Sequence, residues 1–423
     1  MFRSLLKTFS RVTLVAVLGH IVFILVTPYL TRIYSPQQFG IFAIFISVSS
    51  LFSGIAAAKL ELVLAKLSEK KQRAMIVCSS VMVSLVASLV LLTFLFFLEH
   101  FYFLPNSLRD FPKVLYLVPV SVLLISWSQL LSQFVLVHQK YKVFASSKLL
   151  FYLNLSFFSI FFGFSSFNEE GLILAHLFST LLNFVFLLIF SSLFSQIIRF
   201  GWREMFRPRK ILRTHRHFIR MALPADFFAN ISNLSLPILL AFLFSVEIAG
   251  LFMLAQRILS AALNLIGNIV GQIFIGEVSK FSAGQKLKIR QVYLNTTAIL
   301  FCVAISFFVP IYLLSEKSFL IIFGSDWGAL NDIFFVLIPM FFFQLVFSPT
   351  SNILLIIGGE NLAFALNFCR AMALLALSFL SEMLKLELLN FLVFLVILSA
   401  IYYCLVFVFP IRKLNEKRCV KFN

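Results

Sequence analysis

The chain has 423 residues, 61% of them hydrophobic and only 12% charged, with a formal net charge of +18 at pH 7. A water-soluble domain carries about a quarter charged residues, so this composition rules out a surface that faces water on all sides and makes lipid the solvent. The five cysteines, Cys78, Cys302, Cys369, Cys404 and Cys419, are scattered with no CxxC or Cys/His cluster. That argues against a metal site or a disulfide framework.

Apolar runs between charged breaks predict an all-α integral membrane protein of about twelve transmembrane helices. The spans lie near 12–31, 40–62, 75–98, 113–137, 146–166, 171–198, 221–244, 248–275, 291–314, 330–357, 361–381 and 388–411. The opening MFRSLLKTFSR resembles the basic head of a signal peptide, but no small-x-small cleavage site follows. It continues into TPYLTRIYSP and is read as a retained first span. Between the tenth and eleventh spans the only break is IIGGEN.

The 35 Lys and Arg residues are distributed unevenly over this map. The N-terminus, the segment from Lys59 to Arg73, the 138–148 turn, the 199–220 linker, the 280–290 loop and the C-terminal tail hold 28 of them on one side. The other side holds Arg32, Arg109, Lys113, Lys317 and Lys385, and Arg257 and Arg370 stay inside spans. Basic residues are retained on the cytoplasmic side, so the N- and C-termini are expected in the cytoplasm of a multi-pass inner-membrane protein. The charge is thus a topology signal with some affinity for anionic lipid, and no nucleic-acid partner is expected.

The basic linker RFGWREMFRPRKILRTHRHFIR divides the chain into a six-helix bundle at 1–198, the linker at 199–220 and a second six-helix bundle at 221–423. SPQQFGIFAI from Ser35 and SVEIAGLFML from Ser245 are offset by 210 residues and fall at the same place in each half. Because each half has an even helix count, the copies share an orientation. This predicts a parallel repeat with a pseudo-twofold axis.

Polar residues in the seventh and eighth spans recur at helical spacing. Asp226, Asn230, Asn233 and Pro237 fall on one face, and Arg257, Ser260, Asn264, Asn268 and Gly271 on another. Shifted by 210, the second stripe lands on Ser47, Ser50, Gly54, Ala58 and Glu61. Small and polar stripes are the usual packing surface between membrane helices, and that reading competes with a hydrated cavity for the Gly, Ser and Ala members. Arg257 needs more compensation, since a mid-membrane Arg costs about 2.5–3.5 kcal/mol on insertion scales. An anionic substrate or an internal acid would supply it. Arg370 poses the same question. Asp226 and Glu61 lie near the cytoplasmic side, as cation-coupling acids or as partners of nearby bases. Lys59 is expected to snorkel to the cytoplasmic headgroups, Arg32 to anchor at the opposite interface, and FGSDWGAL at 323–330 to form a turn with an interfacial Trp. His20 and His176 read as packed. No Walker-type loop, HExxH or Gly-rich nucleotide fingerprint occurs, so no cofactor, metal or catalytic residue is expected.

The segment TPYLTRIYSPQQFGIFAIFISVSSLFSGIAAAKLELVLAK resembles the opening of polysaccharide-biosynthesis flippases, the O-antigen (Wzx-type) branch of the multidrug/oligosaccharidyl-lipid/polysaccharide exporter superfamily. The second half is similar at LPADFFANISNLSLPILLAFLFSVEIAGLFMLAQRILSAALNLIGNIVGQIF, at FGSDWGALNDIF and at FSPTSNILLI. The family's basic-aromatic-Glu trio after the second helix stands here as Lys59, Leu60 and Glu61, without the aromatic. The resemblance implies two six-helix bundles around a central cavity, alternating access, and a polyprenyl-pyrophosphate oligosaccharide moved from the cytoplasmic to the periplasmic leaflet for O-antigen or capsule. It also implies a polysaccharide polymerase and chain-length proteins as partners and H+ or Na+ as a coupling cation. Arg257, Ser260, Asn264, Asn268, Asn230, Asn233 and Arg370 are the expected substrate-facing set. The alternatives are an ion-coupled multidrug exporter of the same superfamily and, against the short outer loops, a membrane sugar polymerase or ligase.

Overall fold

In lipid every backbone N–H and C=O must be satisfied within the protein, which leaves helices or closed barrels. In the computed structural model every regular element among the described residues is helical. The structure describes residues 15, 18–64, 67, 69–100, 112–165, 170–201, 208–214, 216–261, 263–278, 281, 285–313, 316–351 and 353–415. The leader-like start, Arg109 and Cys419 lie outside them.

The first half runs through α1 (Leu18–Leu30), α2 (Pro36–Ala56), the short α3 (Leu60–Val63), α4 (Lys70–His100), α5 (Pro112–Val137), α6 (Tyr141–Gly163) and α7 (Gly171–Phe190). Two short helices, α8 (Leu193–Phe200) and α9 (Pro208–Thr214), cover the described part of the basic linker. Then come α10 (Arg216–Leu234), α11 (Leu236–Leu243), α12 (Val246–Leu259), a π-helical turn (Leu263–Gly267), α13 (Asn268–Val278) and α14 (Lys286–Tyr312). The chain ends in α15 (Glu316–Phe323), α16 (Leu330–Phe347), the single turn α17 (Ile353–Ile356), α18 (Glu360–Leu384) and α19 (Leu388–Asn415).

Nine of these helices are long and apolar enough to cross a bilayer, or ten when the bent pair α10–α11 counts as one span. Two shorter apolar helices, Leu18–Leu30 and Ile269–Val278, stand at the first and eighth places. Each of the twelve predicted spans therefore has helix at its position, and the chain is a multi-pass membrane protein. The IIGGEN break is real, with Gly358 in the left-handed region at φ 68° between α17 and α18.

Side chains are sorted as lipid requires. In α4, Ser79, Ser80, Ser84 and Ser88 are buried, whereas Val86, Leu89, Val90 and Phe94 are exposed. Water would demand the reverse. Ser84 satisfies its buried hydroxyl by donating to the Val81 carbonyl one turn back (2.9 Å).

Contacts divide the chain into two units, 1–250 and 251–423. In the first, Leu60, Ile76, Phe134, Leu187, Leu193 and Ile211 form a core joining α3, α4, α5, α7, α8 and α9. Tyr34 ties the turn before α2 to α6, its hydroxyl donating to the Ser159 carbonyl at 2.7 Å. In the second unit, Phe274, Val278, Ile289, Tyr293, Ile353 and Leu414 make the corresponding apolar core.

Two predicted spans are not the single helices expected. The seventh bends by 48° at Ser235. Pro237 lacks an N–H, and its ring crowds the carbonyl of Asn233 four residues back, so the α-ladder cannot continue. The eighth, expected as one helix over 248–275, breaks at a turn at Ser260 and continues through the π-helical turn. The second helix also ends early, at Ala56, because Ala58 and Lys59 adopt left-handed backbone (φ 50° and 54°).

Candidate functional site

Left-handed backbone costs a non-glycine residue about 1–2 kcal/mol, and two such residues in succession need support from their surroundings. At Lys59 that support is electrostatic. Its Nζ lies 2.8 Å from Asp226 Oδ2 on α10 and 3.4 Å from Glu61 Oε1 on α3. Asn230, one turn beyond Asp226, donates its amide to the same Oδ2 at 2.6 Å. Lys59 therefore does not snorkel to headgroups as expected. The left-handed turn folds it back into the protein, where two carboxylates outbid the interface for its charge.

Room for this cluster comes from Gly54. A Cβ there would sit 3.1 Å from Asn230 Nδ2 and 3.2 Å from Asp226 Oδ2. The glycine thus lets α10 bring a hydrogen-bonded carboxylate against α2. Most of the stripe points inward: Ser47 and Gly54 on α2 are buried and Ser50 half-buried, and Ala58 and Glu61 beyond the helix are buried. Glu61 lies on α3, between the apolar spans, and its burial pushes the carboxyl above the usual carboxylate range while Lys59 pulls it back. Two acids share one base in this cluster.

Within the first unit the structure brings Asp226, Asn230 and Glu61 together around Lys59. Asn233 is exposed, and its amide is turned to its own helix, donating to the Ala229 carbonyl at 3.0 Å. Pro237 is buried beyond the bend. The eighth-span stripe does not hold as one face, because an i→i+5 turn adds a residue and rotates every later side chain relative to α-helical spacing. Arg257 is half-buried on α12, Asn264 is exposed, and Gly271 is buried against Pro349, whose carbonyl would lie 2.9 Å from a Cβ. Ser260 Oγ donates to the Arg257 carbonyl at 3.5 Å. Gly271 is therefore a packing residue. The side chain of Asn268 lies outside the described residues.

Arg370 on α18 is buried, with its guanidinium 4.6 Å from the Tyr402 ring centre and 5.5 Å from that of Tyr403 on α19. Tyr402 in turn donates to Asn367 Oδ1 at 2.9 Å. The aromatic partners were missed at the sequence level. The signal for them was the adjacent Tyr402 and Tyr403, polar-edged rings midway along an otherwise apolar helix. The histidines sit among rings, His20 4.9 Å from Tyr152 and His176 5.9 Å from Phe151. Trp327 is buried in a short 3₁₀ turn.

The two decapeptides that suggested a repeat meet at equivalent positions. A Cβ at Gly40 would collide with the Val246 carbonyl, and a Cβ at Gly250 with the Pro36 carbonyl. Each pair is the other shifted by 210 residues.

Residues 29–332 match the family model described as polysaccharide biosynthesis protein. No curated protein matches the sequence significantly. Among solved structures, the lipid II flippase MurJ in an inward closed conformation is similar with a TM-score of 0.67 at 12% identity, over 96% of this chain and 87% of that one. An inward-facing multidrug resistance MATE family transporter of the MOP superfamily gives 0.63 at 13% identity, over 95% and 98%. A MOP superfamily transporter from Pyrococcus furiosus gives 0.59 at 13% identity, over 97% and 96%. The fold is the one these transporters share.

Proposed function

The chain belongs to the polysaccharide biosynthesis protein family, and from that premise we propose that it is a flippase. It moves polyprenyl-pyrophosphate-linked oligosaccharide from the cytoplasmic to the periplasmic leaflet of the inner membrane by alternating access, supplying O-antigen or capsule, and it performs no covalent chemistry. The family match over residues 29–332 carries this reading.

The site chemistry fits the reading. A pyrophosphate head cannot cross about 30 Å of hydrocarbon unaided. Lys59, held between Asp226 and Glu61, can exchange a carboxylate for a phosphate oxygen as substrate arrives. The released carboxylate then takes up H+ or Na+, which couples the two movements. Arg257, Arg370, Asn230, Ser260 and Asn264 are the further residues proposed to meet the substrate's charged head and sugar. The reciprocal glycine contacts at Gly40 and Gly250 support a parallel pseudo-twofold repeat of two six-helix bundles, and the distribution of Lys and Arg supports cytoplasmic termini. Polymerase and chain-length proteins would receive the flipped unit. The surplus carboxylate beside Lys59 also suits a second reading, an ion-coupled multidrug exporter.

Deleting the gene discriminates between the two. Loss of surface polysaccharide with lipid-linked units accumulating in the cytoplasmic leaflet is the expected outcome. Intact polysaccharide with raised drug sensitivity would favour the exporter. A strain that releases single units to the periplasm without chains would point to a polymerase instead.

A further inference from the structure

By sequence Lys148 counts among the basic residues of the 138–148 turn, but the structure places it inside a helix long enough to cross the bilayer. It lies seven residues into α6 (Tyr141–Gly163), about 10 Å along the axis from Tyr141. The lipid side of α6 is marked by the exposed Leu153, Phe157 and Phe161. At about 100° per residue these stand roughly 140°, 180° and 220° round the helix from Lys148. The lysine therefore leaves the helix on the side away from lipid. Leu155 and Ser159 share its face and are buried, and Lys148 itself is half-buried.

That face looks onto α1 and α7. One turn beyond Lys148, Tyr152 packs on His20 of α1 at 4.9 Å and Phe151 on His176 of α7 at 5.9 Å. All of these residues belong to the first unit. No acid on these helices can neutralise the lysine. The first acidic residue of the chain is Glu61, beyond α1 and α2, and α5, α6 and α7 hold no Asp or Glu. Glu61 and Asp226 are engaged by Lys59. Among the described residues the contact left to Lys148 is the Phe144 ring, whose centre lies 5.7 Å from Nζ. A ring face attracts a cation, but it offers the three N–H donors of an ammonium no oxygen to bond.

An interior cation without a counter-charge does nothing for the fold, because desolvating it is unfavourable and no neighbour offsets the loss. An anion arriving from outside the protein would offset it. On the charge-based topology α6 starts at the cytoplasmic side, so that anion comes from the inner leaflet. Lys59 must release a carboxylate before it can meet a phosphate, whereas Lys148 has none to release. An ammonium binds phosphate as a point charge, and in every polyprenyl-pyrophosphate oligosaccharide the pyrophosphate is charged whatever the sugars are. We infer that Lys148 is a substrate-binding residue, meeting the pyrophosphate of the lipid-linked oligosaccharide from within the first unit, with Phe144 holding the ammonium while the site is empty. This rests on the flippase reading and names the residue that takes the anionic head without first breaking an ion pair.

Thermal unfolding of the full-length protein in phosphatidylcholine nanodiscs, titrated with polyprenyl pyrophosphate, tests this. The pyrophosphate lipid is expected to raise the unfolding temperature, and uncharged polyprenol at the same mole fraction is not. Lys148→Met keeps the apolar stem and removes the charge, so the empty variant should unfold at the wild-type temperature or above it. It should also need about tenfold more polyprenyl pyrophosphate for half-maximal stabilisation, the worth of one charge-assisted contact. Lys148→Arg should recover most of that affinity. A lower unfolding temperature of the empty Lys148→Met protein would make Lys148 a structural cation and overturn the proposal. Stabilisation by phosphatidylglycerol that Lys148→Met weakens equally would mark a general phospholipid site and overturn it too. Wild-type affinity for polyprenyl pyrophosphate in Lys148→Met would remove this contact and leave the flippase standing, as would an unresponsive wild-type protein whose deletion stops surface polysaccharide. An unresponsive wild-type protein beside unaltered polysaccharide in the deletion strain would sink the flippase reading and this contact with it.

Discussion

At Lys59 a single residue joins two stretches of chain some 170 positions apart, through an ion pair that local sequence does not announce. Asp226 was legible as a polar residue in an apolar span, and Asp226 and Asn230 were legible as neighbours because they are four apart on a helix. Lys59 was not, since its direction depends on left-handed backbone at Ala58 and Lys59, which no helical spacing foretells. Removing the base leaves two carboxylates facing each other, whereas removing Asp226 leaves Lys59 with Glu61 at 3.4 Å. Lys59→Ala should therefore lower the unfolding temperature in detergent more than Asp226→Ala does. The double variant should recover part of the loss, with a coupling of about 1–2 kcal/mol. Strictly additive effects would show that the pair is not formed.

Among the elements, the small-residue stripes were correctly placed on helix faces, but what they face was decided by breaks in those helices. Gly54 and Gly271 stand in matched stripes yet serve different neighbours, a carboxylate–amide pair in one case and the Pro349 backbone in the other. The 210-residue correspondence carries over at Gly40 and Gly250, where both helices run unbroken, and fails beyond Ser260, where the π-helical turn changes the phase. The bend at Ser235 was foreshadowed by Pro237, but the π-turn over Leu263–Gly267 has no proline to mark it. Gly271→Val should cost about 1–3 kcal/mol of stability through overpacking against Pro349, read as a lower thermal midpoint of the purified protein. Ser260→Ala, which loses only a long hydroxyl contact to its own helix, should change it by less than about 0.5 kcal/mol. If Gly271→Val is as mild as Ser260→Ala, the close approach is wrong.

For the whole molecule, the skewed distribution of basic residues makes a claim independent of any contact. Reporter fusions after Lys66, within 199–220 and after the last helix should all report cytoplasm. A periplasmic signal from the linker would overturn the arrangement into two six-helix halves. That the chain is helical, lives in lipid and crosses it many times follows from composition and apolar run lengths, because in hydrocarbon the backbone has almost no other way to satisfy its hydrogen bonds. The family could be recognised for a similar reason, since the residues that fix turns and close helix approaches are read in chain order. Pairing across distant spans is another matter. Lys59 on Asp226, Arg370 on Tyr402 and Tyr403, and Gly271 on Pro349 depend on where helices stop, bend and rotate. A shift of one residue at a π-turn, or two left-handed residues after α2, redirects every side chain beyond it, and only packing in three dimensions fixes which of those shifts the chain adopts.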